Sequence, residues 1–108
     1  MTVEYGPMAY LGENIDAALA AAAGDDPALF LELRAAFVES VERQLDLLSR
    51  ARCDGNWHMA ALRLKGLSAS FHDTSLMQLA DEAIESAPGE PRILRQIRQH
   101  IDGLAPEV

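Results

Sequence analysis

Trp57-His58-Met59-Ala60-Ala61-Leu62-Arg63-Leu64-Lys65-Gly66-Leu67-Ser68-Ala69-Ser70-Phe71 sets the fold class of this chain. At about 100° per residue, Trp57, Ala60, Ala61, Leu64, Leu67, Ser68 and Phe71 share one side. That is the apolar stripe of a helix with one face in a core. The opposite side carries His58, Met59, Leu62, Lys65, Gly66 and Ala69. This second stripe is the unusual one. It has an apolar residue, Leu62, pointing outward, and the chain's only lysine. It also has a glycine in mid-helix, where Gly costs roughly 1 kcal/mol relative to Ala. Such a glycine lets another backbone or side chain come close.

The same helical period extends both ways from this segment, and turn residues divide it. Gly24-Asp25-Asp26-Pro27 ends one helix and begins the next, with Asp26 as cap and Pro27 at the first helical position. Cys53-Asp54-Gly55-Asn56 is a turn in which Asn56 is the expected N-cap. His72-Asp73-Thr74-Ser75 is another, in which Ser75 and Gln78 have capping-box spacing. Pro88-Gly89-Glu90-Pro91 is the next, and Gly103 and Pro106 close the last helix.

Five helices are therefore expected. The first, about 14–23, buries Ile15, Ala18, Leu19 and Ala22. The second, about 27–52, turns Phe30, Leu33, Phe37, Val41, Gln44 or Leu45, and Leu48 inward. The third runs over about 57–71. The fourth, about 76–86, offers Leu76, Leu79, Ala80, Ala83 and Ile84. The fifth, about 91–104, offers Leu94, Ile97, Ile101 and Leu104, with Arg92, Arg95 and Asp102 outside. No segment alternates with period two. Short connections favour antiparallel neighbours, so the expected architecture is all-α: an up-down antiparallel four-helix bundle with a short extra N-terminal helix, in one domain over residues 1–108.

Charge and composition narrow the function classes. The formal charge is −8, which repels phosphate backbones and argues against nucleic acid or anionic membranes as partners. No apolar run reaches the roughly 18 residues of a membrane span. The Ala-rich stretch 17–23 does not read as a signal peptide, so a cytoplasmic location is expected. The single cysteine, Cys53, forms no internal disulfide and no cysteine-based zinc site, and reads as a small half-buried residue at a helix end. His58, His72 and His100 are scattered and lack metal-ligand spacing. No nucleophile–base pair, phosphate-cradling loop or paired-carboxylate site is present, and no cofactor is implied.

The segment Leu62-Arg63-Leu64-Lys65-Gly66-Leu67-Ser68-Ala69-Ser70-Phe71 resembles the signature of histidine phosphotransfer (HPt) domains. That pattern reads His-x-Leu-Lys-Gly, then small residues, then Gly, then a Leu opening the next helix. Leu64, Lys65, Gly66, Ser68, Ala69 and Leu76 match it in place, and the order of helices matches from about Asp16 to Leu104. Two positions depart: Leu62 stands where the family has its phosphoacceptor histidine, and His72 where it has the later glycine.

The resemblance implies a signalling module of a two-component phosphorelay that docks a response-regulator receiver or a histidine kinase. Leucine has no lone pair with which to attack an aspartyl phosphate, so loss of phosphotransfer is expected and no catalytic residue is assigned. The implied partner-binding residues are Met59, Leu62, Lys65, Gly66 and Ala69, with Lys65 supplying positive charge one turn beyond Leu62. Two other readings stay open. His58, one turn before Leu62 on the same stripe, could accept a phosphoryl group. Alternatively, the bundle could be a helical interaction or dimerisation domain unrelated to phosphorelay.

Overall fold

The computed structural model describes residues 7–104, with side chains from Ile15 onward. It contains five helices: α1 (Pro7–Ala23), α2 (Pro27–Arg50), α3 (Asp54–Ser70), α4 (Thr74–Ile84) and α5 (Pro91–Leu104). There is no strand among the described residues. α3 packs on both α2 and α4, and α5 packs on both α2 and α4, so these four helices close a ring. α1 lies against α2. It is not the short helix expected from sequence: it has 17 residues and begins at Pro7, a residue suited to a first helical position.

Inside the ring lies one core. Phe37, Val41, Leu45 and Leu48 enter it from α2; Trp57, Ala60, Ala61 and Leu64 from α3; and Leu76, Ala80 and Ala83 from α4. Ile93, Ile97, Ile101 and Leu104 come from α5, and Ile15 and Leu19 from α1. The expected stripes need several corrections. In α5 the buried series runs through Ile93, and Leu94 is half-buried. Leu67 and Phe71 are half-buried too, packed on the rim of the core, as are Phe30, Leu33, Leu79 and Ile84. In α1, Ala22 is exposed, Ala18 is half-buried and Ala23 is buried. Leu45 rather than Gln44 is the inward residue of α2; Gln44 is half-buried, and its Oε1 has no hydrogen-bond partner among the described residues.

The helix ends show which cap chemistry prevails. Asp26 caps α2, its Oδ1 accepting from the amides of Ala28 and Leu29. α3 begins earlier than expected, with Cys53 at the cap position and no side-chain cap bond. Asn56 is therefore inside the first turn, and Cys53 is exposed rather than half-buried. α4 is capped by Asp73 through Leu76 N–H at 3.1 Å, not by a Ser75–Gln78 box. α2 ends at Arg50, because Ala51 has turned extended (φ −65°, ψ 130°). Gly103 lies within α5, and Pro106 lies outside the described residues.

Between α3 and α4 the chain turns through His72, at φ 60°. The amide of Asp73 donates to Ser68 O, and that of His72 to Ala69 O. This is the two-bond closure that follows a left-handed residue after a helix. Glycine adopts that conformation at no steric cost; another residue there costs roughly 1–2 kcal/mol.

Candidate functional site

The outer face of α3 is positioned by what lies on the other side of the helix. Trp57 and Leu64 are buried, and the Trp57 indole N–H donates to the Ala83 carbonyl at 2.6 Å. The same carbonyl, in the last turn of α4, also accepts from the Ser86 amide at 3.0 Å. Ser68 is buried as well, its hydroxyl donating back to the carbonyls of Leu64 and Lys65. With rotation fixed this way, α3 turns Met59, Leu62, Gly66 and Ala69 to the surface.

Five large apolar side chains are exposed among the described residues, and three of them meet on this face. Met59 is 53 % exposed, Leu62 46 % and Leu47, from α2, 45 %. Met59 and Leu62 share an open groove with His58 and Ile84 on the α4 side. Met59 also shares a groove with Leu47 on the α2 side. Met59 is thus the crest of an apolar ridge. Leu47 has no counterpart in the sequence reading, which placed all recognition on α3; its exposure follows from the way α2 and α3 pack together.

Gly66 stands open. A Cβ built there meets nothing within 4 Å, so no neighbour among the described residues requires a glycine at this position. Lys65 is half-buried at the α4 edge, where its Nζ lies 2.8 Å from Asp81 Oδ1. The sequence reading left this cation free for a partner; it already has one, in an ion pair linking α3 to α4. Both members are about half-exposed, and such pairs contribute about 0–1 kcal/mol.

The histidines separate by role. His58 is exposed beside Met59 and Leu62. His72 is the left-handed turn residue. His100, which belongs to no recognisable pattern in the sequence, is buried in α5 with Nε2 2.7 Å from Asp73 Oδ2. A carboxylate only accepts, so the ring N–H donates. Asp73 therefore ties together three elements. Its amide closes α3, its Oδ1 caps α4, and its Oδ2 holds α5. No group of three or more His, Cys, Asp or Glu among the described residues could hold a metal ion. No described helix is long and apolar enough to cross a membrane.

Neither a protein-family model, nor a curated protein, nor a solved structure matches this chain.

Proposed function

We propose that this protein is a degenerate histidine phosphotransfer domain: a docking module that engages a response-regulator receiver or a histidine kinase without carrying phosphate. The observation that carries the reading is the outer face of α3. Leu62 and Met59 are exposed beside Gly66, whose open space serves no packing among the described residues. Contiguous exposed apolar surface of this kind suits a protein partner. The ring of contacts among α2, α3, α4 and α5 supports an up-down antiparallel four-helix bundle of the HPt type. Position 72 adds a second strand of support. The family pattern carries glycine there, and the backbone at His72 has the positive φ that glycine accommodates best.

The alternative phosphoacceptor, His58, stands about two turns from Lys65. The ion pair to Asp81 directs that lysine toward α4. The geometry therefore favours docking over phosphotransfer.

The test is a titration of the chain against the receiver domains of its own organism, wild type beside Gly66→Gln. Gln is the better helix former by somewhat less than about 1 kcal/mol, so thermal stability should hold or rise slightly. Binding should fall by about tenfold or more, because a bulky residue in the centre of an interface blocks approach. Equal binding by the variant would remove the outer face of α3 as the docking surface. Failure of wild type to bind any receiver or kinase would remove the phosphorelay reading and leave a helical interaction domain of another kind.

A further inference from the structure

The groove between α2 and α3 differs in charge from the rest of the protein. The chain carries 17 acidic and 9 basic residues. Yet this groove, from Ser40 and Ser70 at one end to Arg50 and Asn56 at the other, is lined by Arg43, Arg50 and Arg63 and, among the described residues, by no carboxylate. Among the described residues, the Arg43 side chain makes one hydrogen bond, to Ser40 Oγ at 3.5 Å. Among the described residues, Arg63 has no carboxylate within 4.0 Å. Arg50 holds Asp46 at 2.8 Å, one turn back on α2, and Asp46 faces the α5 side. Beside Arg50 and Arg63 the apolar walls of the groove are Leu47 from α2 and Met59 from α3. Across the α3 ridge the sign reverses, with Asp54 in the neighbouring groove and Asp81, Glu82 and Glu85 exposed along α4.

We propose that the α2–α3 groove takes an acidic amphipathic helix of a protein partner, its apolar stripe on Leu47 and Met59 and its carboxylates on Arg43 and Arg63. The inference rests on α3 presenting a docking face, but not on the partner being a receiver. Charge complementarity selects the sign: two guanidinium groups with no described carboxylate partner, Arg43 and Arg63, line the groove, and guanidinium pairs with carboxylate in a planar, two-bond geometry. Phosphate-rich polymers carry the same sign, but the overall charge of −8 repels them and they offer nothing to Leu47 and Met59. The shape selects a helix. Two packed helices leave a groove into which a third can lay an i, i+3, i+4, i+7 stripe. A second copy of this chain fits less well. Its α4 has the acidic residues, but Leu76, Ala80 and Ala83 of that helix are buried and leave no exposed apolar stripe.

The probe is a stapled helical peptide of about four turns, with leucines at i, i+3, i+4, i+7 and glutamates flanking them, beside a twin with glutamine for each glutamate. Both are titrated into the isotope-labelled full chain and followed by amide shifts. The acidic peptide should bind about tenfold more tightly than its twin at low salt, and the advantage should shrink as salt rises. Shifts should concentrate in residues 43–50 and 59–66. The double variant Arg43→Gln, Arg63→Gln should bind both peptides alike. Equal affinity for the two peptides in wild type, shifts centred elsewhere, or no binding would overturn the proposal. So would a concentration-dependent dimer, in sedimentation of the chain alone, that the double variant abolishes, because the occupant would then be a second copy. Receiver binding that Gly66→Gln abolishes, with no preference of wild type for the acidic peptide, would keep the docking function and discard the acidic helix. Peptide binding without any receiver binding would do the reverse.

Discussion

Asp73→Ala should be the most damaging single truncation outside the apolar core, lowering stability by about 3 kcal/mol. Two losses combine. The α4 cap disappears, which typically costs about 1 kcal/mol. The buried His100 N–H loses its acceptor, and a stranded buried donor costs about 1–3 kcal/mol. Near the unfolding midpoint, 1 kcal/mol in a domain of this size shifts Tm by about 4–8 °C, so the melting temperature should fall by roughly 12–24 °C. Asp73→Asn separates the two terms. Its side-chain carbonyl can still cap α4, since Asn caps as well as Asp, so most of the cap term should return. In Asp73→Ala/His100→Leu no buried donor is stranded, and the double variant should be more stable than the sum of the singles predicts. Thermal and urea unfolding of these variants decide the matter. A loss within about 0.5 kcal/mol for Asp73→Ala would mean that water replaces the carboxylate and the three-helix tie carries little stability.

Leu62→His should have the largest effect on function. If Leu62 occupies the phosphoacceptor position, a histidine there lies on the exposed face beside the receiver. Its ring nitrogen attacks the phosphorus of the aspartyl phosphate, the bond from phosphorus to the carboxyl oxygen breaks, and the receiver keeps a free carboxylate. Lys65 stands three residues further on, where its charge can meet the phosphoryl group once it leaves Asp81. Release is cheap because the pair is half-exposed, and Asp81→Ala should speed transfer further. Incubated with a phosphorylated receiver that binds the wild type, Leu62→His should gain acid-labile label on the order of a hundredfold above background. The label should survive His58→Ala. A receiver that binds Leu62→His tightly and leaves it unlabelled would show that Leu62 is not at the phosphoacceptor position. Wild-type labelling that His58→Ala removes would restore the phosphotransfer reading through His58.

The face of α3 was legible in the sequence because a helix repeats. Trp57, Ala60, Ala61, Leu64 and Ser68 are buried and Met59, Leu62, Gly66 and Ala69 exposed, as the period requires. The helix starts were less legible for a local reason. Asp73, Thr74 and Ser75 can all cap a helix, and spacing alone favoured the serine; the choice went to Asp73 because its second oxygen reaches His100, 27 residues away. Burial of His100 was not readable for the same reason. A histidine beside Gln99 and Asp102 resembles a solvated face until its acceptor is placed against it. The arginine groove needed the register of α2 on α3. Arg43 and Arg63 lie in unrelated stretches of an acidic sequence, and only packing brings them to one groove.

Gly66 finally bears on how this sequence can drift. A mid-helix glycine with empty space around it is a standing handicap to folding, and almost any residue placed there repairs it. Selection for abundance alone should therefore erode it. In a saturation library at position 66, sorted only for folded protein, alanine, glutamine and lysine should displace glycine within a few rounds. The same library sorted for retention of the natural partner should keep glycine and discard the larger residues. The gap between the two outcomes measures the evolutionary cost of the partner at a single residue, and it closes entirely if nothing docks on α3.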